Sequence, residues 1–210
     1  MGRRDIRWIH IVTHIGALTP LASLAWMFWQ DQLGPAPVAA VIRLLGRYAL
    51  ALLLLSLVPT VIRTVTGFGV VMRVRRTLGL YAFLYTALHF LAFAGLDYRF
   101  DLGLIATTVA ESRREMVGLA ALAILAALAL TSIGGVRKRL GRFWKPLHRL
   151  VYVAGGLVVL HTIWNYKELR TWPALAGGAL VVLLAARVPA IAELLSRLRT
   201  TRPSGERQRR

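Results

Sequence analysis

The sequence predicts an all-α membrane protein: a polytopic six-helix transmembrane bundle with both termini on the cytoplasmic side. Three observations predict it. The chain of 210 residues is 57% hydrophobic and only 17% charged, with a mean hydropathy of +0.58, whereas soluble domains carry about 25% charged residues. Its apolar residues gather in long uncharged runs, each close to the ~20 residues that cross a bilayer. Its 27 Lys and Arg outnumber 9 Asp and Glu, and the bases cluster in alternate connections between those runs.

Taken in order, the first span is read at residues 8–29. This run is longer than the apolar stretch of a secretory leader and ends in Trp26, Phe28 and Trp29, not in small residues, so it is expected to stay in place. The second is read at 44–62, with Pro59 near its end, and the third at 78–96. The fourth follows at 116–133. The fifth, 147–166, contains the Gly155-Gly156 pair, which a bundle tolerates where neighbours re-satisfy the backbone. The sixth, 172–188, contains Gly177-Gly178, which permits close helix contact. Trp8, Trp26, Trp29, Tyr166 and Trp172 lie near predicted edges, at the level of the headgroups. The loop at 97–115 has room for a short interfacial helix. Residues 1–199 therefore read as one six-span domain, and 200–210 as a disordered basic tail.

Orientation follows from counting bases. Arg3, Arg4 and Arg7 precede the first span; Arg63, Arg73, Arg75 and Arg76 follow the second; Arg137, Lys138, Arg139, Arg142 and Lys145 follow the fourth; further arginines close the chain. The opposite loops hold Asp31, Asp97, Asp101, Glu111, Glu115 and Glu168. The positive-inside rule then puts both ends in the cytoplasm, in agreement with an even number of spans.

The net charge of +18 would suggest a nucleic-acid partner in a soluble protein. Between membrane spans it points to anionic lipid headgroups, and no nucleic acid is expected. The absence of cysteine excludes thiolate haem ligation, iron–sulfur clusters and a CxxCH attachment. Metal or haem chemistry must then use His10, His14, His89, His148 and His161, all on odd-numbered spans. Those spans run in the same direction, so sequence offset measures depth. His89 lies eleven residues past Leu78, about 16 Å along its helix, and His161 fourteen past Leu147, about 21 Å. Both belong to the outer half.

Ionisable residues inside a membrane are functional candidates by default. Neutral imidazole serves both axial faces of b-type haem when cysteine and methionine are not used, so His89 and His161 read as a pair clamping one haem. The alternative is hydrogen bonding to neighbouring helices. His148 begins the fifth span, about 19.5 Å below His161, a rise that suits a second haem. The thirteen-residue interval turns the two imidazoles ~140° apart, however, so the ligands either face different neighbours or need a helix adjustment. His14 is read either as packing or as an inner ligand opposite His148, and His10 as solvated. Arg75, Arg76 and Arg149 are read as topology signals that also suit haem propionates or a flavin phosphate. Tyr81, Phe83, Tyr85, Phe90 and Phe93 read as bundle packing or as the lining of a haem edge.

The stretch from Arg75-Arg76-Thr77-Leu78-Gly79-Leu80-Tyr81 to His89, the stretch Leu140-Gly141-Arg142-Phe143-Trp144-Lys145-Pro146-Leu147-His148-Arg149, and His161-Thr162-Ile163-Trp164-Asn165 carry a specific resemblance. Over nearly its whole length the chain resembles the MsrQ (YedZ) family, haem-binding membrane subunits of the bacterial protein-methionine-sulfoxide reductase system, within the ferric-reductase-like transmembrane superfamily. The resemblance implies an inner-membrane electron conduit, not itself the site of sulfoxide reduction. It implies haem b, one or two, with His89, His148 and His161 as ligands, and a first-span histidine corresponding to His14. FMN is also carried by the family. The implied acceptor is the periplasmic molybdenum methionine-sulfoxide reductase MsrP, which repairs oxidised proteins. Related NADPH oxidases and ferric reductases place two histidines on each of the third and fifth spans and carry a fused flavin domain. The single histidine on the third span and the lack of such a domain imply that electrons come from a cytoplasmic flavin reductase or quinol. A ferric or metal-ion reductase of the same architecture is the alternative, and a cofactor-free scaffold or transporter ranks third.

Overall fold

The computed structural model describes residues 3–165, 171–188, 191 and 193. The described residues form helices and turns, with no strand among them. The proposed tail at 200–210 lies outside them.

Helix α1 (Arg3–Trp29) contains Pro20, which cannot donate to the carbonyl of Gly16. Helix α2 (Pro37–Thr66) starts on a proline, where a missing N–H costs nothing, and stops at Gly67. That glycine adopts φ 73°, and its N–H caps the Arg63 carbonyl. A single turn at Gly69–Val71 leads into α3 (Met72–Ala92), which runs on into a wider π-helical turn, Phe93–Asp97. Helix α4 (Leu102–Glu111) is the short helix for which the loop had room. Asp101 caps it, its carboxylate accepting the Leu104 N–H at 2.9 Å. Ser112 caps α5 (Arg113–Leu130) in the same way.

After α5 the chain breaks at Thr131 and turns by 93° into the helical segment 134–147. This segment comprises α6 (Gly134–Leu140), a tight turn at Gly141–Phe143, and the single-turn α7 (Trp144–Leu147). Two apolar helices complete the described chain: α8 (Leu150–Asn165) and α9 (Thr171–Ala185).

Among the described residues, three stretches are long and apolar enough to cross a membrane: Arg7–Trp29, Pro37–Thr66 and Gly69–Asp97. The bent pair of α5 with the segment after it supplies a fourth if it is taken as one span. Helices α8 and α9, with 16 and 15 residues, extend about 24 and 22 Å, short of the ~30 Å hydrocarbon core. The expected fifth span is shorter in the structure because His148 and Arg149 form a turn before α8 begins.

The helices pack as two antiparallel hairpins, α2 with α3 and α5 with α8; α1 lies against the first and α9 against α2 and α8. Small residues let the backbones approach: Ala82 and Ala154 are fully buried. Tyr85 is also fully buried, and its hydroxyl donates to the Ala17 carbonyl at 2.7 Å, tying α3 to α1. At the far end of α9, Arg187 donates to the Leu57 carbonyl at 2.7 Å. Large apolar side chains such as Val12, Trp29, Leu130, Val181 and Val182 face outward. An apolar exterior of this extent matches a lipid surround.

Tyr85→Phe keeps the ring and removes the hydroxyl bond to the Ala17 carbonyl, which retains its helical partner. It is expected to cost about 0.6–1.5 kcal/mol, read as a modest fall in the unfolding midpoint in detergent. Tyr85→Ala, which leaves a cavity, should cost about 3–5 kcal/mol.

A candidate bis-histidine cofactor site

His89 on α3 and His161 on α8 are brought together across the two hairpins. Their ring centroids lie 6.3 Å apart and their planes cross at 82°. Two imidazoles flanking one metal, each bonded at about 2 Å, would place their centroids about 6 Å apart. The spacing suits a shared metal centre.

Each ring is anchored through Nδ1. His89 Nδ1 is 2.8 Å from the Ile42 carbonyl on α2, and His161 Nδ1 is 2.9 Å from the Arg114 carbonyl on α5. A carbonyl only accepts, so Nδ1 carries the proton in both rings and Nε2 keeps its lone pair. That is the tautomer a metal ligand needs, set by the partner of the other ring nitrogen. Glycine makes the approach possible. A Cβ at Gly46 would stand 3.2 Å from His89 Cε1 and Nδ1, and one at Gly118 would stand 2.9 Å from the same atoms of His161.

Both rings line one cavity holding about 960 Å³ of open space, together with Gly46, Gly118, Arg43, Arg47, Phe90 and Trp172. Its walls combine aliphatic and aromatic side chains with polar ones, among them Thr86, Thr162 and Asn165. Trp172 Nε1 is buried without a partner, and a buried donor left orphaned is costly. Glu115 pairs with Arg114, whose Nη1 donates to Asn165 Oδ1 at 3.3 Å. No group of three His, Cys, Asp or Glu able to hold a metal ion occurs among the described residues. The donor set therefore fits a planar group that brings its own equatorial ligands and takes two axial imidazoles, as haem does. The two glycines, the orphaned indole N–H and the two arginines of the lining agree with that fit.

His148 lies elsewhere, in the turn between α7 and α8. Its Nε2 is 3.1 Å from Thr131 Oγ1, and its ring stacks on Trp144 at 4.1 Å. Arg137 lies over the Trp144 ring, and Trp144 Nε1 donates to the Thr131 carbonyl. His148, Arg75, Arg76 and Arg149 line a second cavity of about 1350 Å³, along with Arg137, Lys145 and Tyr152. Among the described residues, no acidic side chain lines it. Nearby, Arg187 stacks over Tyr152 at 4.8 Å, with Nε and Nη1 buried and unpartnered. His14 lines neither cavity. It is exposed on α1, with Nδ1 2.8 Å from the Tyr81 hydroxyl, so the structure does not bring it opposite His148.

Gly46, Gly118, Trp172, Trp144 and Arg187 escaped the sequence reading as site residues. The glycines carried a usable signal: 43 residues separate Gly46 from His89, and the same 43 separate Gly118 from His161.

A helical bundle that presents paired imidazoles from two packed hairpins defines a class, and comparison with known proteins agrees. Residues 45–159 match the family described as ferric reductase like transmembrane component, to which the chain belongs. Within it the chain is a member of the MsrQ family. It is 44% identical over 183 residues, 84% of both chains, to the "Protein-methionine-sulfoxide reductase heme-binding subunit MsrQ" of Xanthomonas axonopodis pv. citri. The protein of the same name from Xanthomonas campestris pv. campestris is 42% identical over 90% of both chains. That of Rhodospirillum rubrum is 41% identical over 86% of this chain and 88% of its own.

Trp172→Phe removes the orphaned donor from the first cavity together with part of the indole ring. If that N–H serves a charged group of a bound cofactor, the variant should retain it about 10- to 100-fold less well, the worth of ~1.5–3 kcal/mol. Retention is measured as cofactor per protein after extended detergent washing.

Proposed function

We propose that the protein is the haem-bearing electron-transfer subunit of a protein-methionine-sulfoxide reductase system, with haem b held between His89 and His161. The observation that carries this reading is the pair of crossed imidazoles, 6.3 Å apart and each fixed by a backbone carbonyl at Nδ1. The names of its relatives, heme-binding subunits, support it. Haem bound there supplies one-electron redox chemistry inside the membrane.

The chain's own residues do the positioning. The Ile42 and Arg114 carbonyls hold both rings in the ligating tautomer. The aliphatic wall keeps water away and lowers the local dielectric, which tunes potential. Trp172 Nε1 and the arginines of the first cavity would supply donors for the haem carboxylates.

In this reading six spans cross the bacterial inner membrane with both termini cytoplasmic, and α8 and α9 span as the fifth and sixth helices. The basic second cavity then faces the cytoplasm. There Arg75, Arg76 and Arg149, with His148 against Trp144, suit an anionic planar group: a second haem through its propionates, or FMN through its phosphate. Electrons arrive from a cytoplasmic flavin reductase or quinol and leave to the periplasmic molybdenum enzyme MsrP, where sulfoxide reduction takes place. A ferric or metal-ion reductase is the second reading, favoured by the family match itself. The two differ in acceptor, so reduced protein should be re-oxidised by MsrP and not by ferric chelates.

His89→Ala and His161→Ala are each expected to lose most of the haem from the membrane-inserted protein. The readouts are the split α-band of the dithionite-reduced spectrum and a pyridine haemochrome assay. Full haem absorbance in both variants would sink the assignment. His148→Ala should keep the haem held by the other two histidines.

A further inference from the structure

The two histidine cradles are copies of one another. His161 follows His89 by 72 residues, Gly118 follows Gly46 by the same 72, and so do Arg114 and Ile42, whose carbonyls take the Nδ1 protons. The offset extends beyond the cradle. It relates three buried pairs of the core, Ala49 with Ala121, Leu53 with Leu125 and Ala82 with Ala154. It also relates Gly69 with Gly141, in the connections within each hairpin. Each unit is a long helix that carries a glycine and a returning helix that carries a histidine. Duplicated units of this kind recur in membrane proteins, with the functional site where the repeats meet. The repeat breaks at the other cavity: the counterpart of His148 is Arg76, so the duplication builds one symmetric pair of imidazoles.

We infer that Gly46 and Gly118 are positioning residues that set the orientation of the two axial imidazoles, and with it the electronic character of the haem. This rests on the bis-histidine haem reading above. In each unit the glycine stands one helical turn after the accepting carbonyl, Gly46 after Ile42 and Gly118 after Arg114. A side chain at that place would occupy the space through which the ring reaches its hydrogen bond. The two positions are unequally tight. At 2.9 Å, a Cβ on Gly118 forces the His161 ring to move; at 3.2 Å, one on Gly46 requires the His89 ring to yield by a few tenths of an ångström. Either movement turns a ring out of the 82° crossing or lengthens its Nδ1 contact.

Crossed planes have a spectroscopic consequence. Each imidazole π-interacts with a different d orbital of the iron, the two orbitals stay close in energy, and the ferric low-spin EPR signal is strongly anisotropic. Parallel planes separate the orbitals and give an ordinary rhombic signal.

The test uses the full-length, haem-loaded protein in detergent, with Gly118→Ala, Gly46→Ala and Gly156→Ala compared for haem content, EPR and midpoint potential. Gly156 is an exposed glycine of α8 with nothing within 4 Å of its Cβ position, and it controls for the substitution itself. The wild type should give the strongly anisotropic signal. Gly118→Ala should move that signal toward the rhombic type with a shifted potential, or retain haem about 10- to 100-fold less well, as when a partner behind a metal ligand is lost. Gly46→Ala should do the same to a smaller degree, and it carries the test if Gly118→Ala does not fold. Gly156→Ala should match the wild type. A rhombic wild-type signal, or Gly118→Ala and Gly46→Ala with unchanged signal, potential and haem content, overturns the inference. In those cases His89→Ala and His161→Ala still lose haem; if they too keep it, the haem reading itself has failed.

Discussion

The histidine pair of the first cavity depends on one kind of contact, an imidazole N–H donated to a helix carbonyl. Within a helix each carbonyl already accepts from the residue four places on, and its second lone pair is normally hidden by side chains. Glycine at 46 and at 118 removes the obstructing atom, so the lone pairs of Ile42 and Arg114 can be reached. That single contact sets the tautomer, the orientation and the depth of each ring. It also joins the two helices of each hairpin at the level of the site, so ligand placement and helix packing are one constraint.

The two cavities differ in the chemistry that surrounds them. The first is walled by aliphatic and aromatic side chains and holds two equivalent histidines. The second is ringed by arginines and a lysine, and its single histidine is braced by Thr131 and Trp144. Positive charge concentrated beside a membrane attracts anionic groups of every kind, from lipid headgroups to phosphates. The buried, half-satisfied guanidinium of Arg187 adds to that field from the turn after α9. A site with a symmetric pair of histidines and a strongly cationic, asymmetric one thus lie in the same bundle, and α3 and α8, or the turn before α8, contribute to both.

Much of the helical content was legible in the apolar runs, because hydrophobic length is a direct physical requirement for crossing lipid. Helices α1, α2, α3, α5, α8 and α9 lie where the six spans were expected, the first three of them long and apolar enough to cross a membrane, and the loop at 97–115 holds α4. The break after α5 and the turn at His148 were not legible, since Thr131, Ser132 and Gly134 are compatible with both a continuing and a broken helix. His14 illustrates a second limit. Depth follows from counting residues, whereas direction around the helix axis depends on which neighbours it packs against, and α1 presents this histidine to Tyr81.

From the sequence alone came the helical class, the basic segments, the family resemblance and the expectation that His89 and His161 share a depth, because composition and 1.5 Å of rise per residue require no partner to be read. Only the tertiary structure decided that these two rings face one cavity, that their Nδ1 atoms meet backbone carbonyls, that Gly46 and Gly118 make room for them, and that His148 rests on Trp144. Those outcomes depend on contacts between residues 47 apart in sequence, and such contacts exist only once the hairpins have closed.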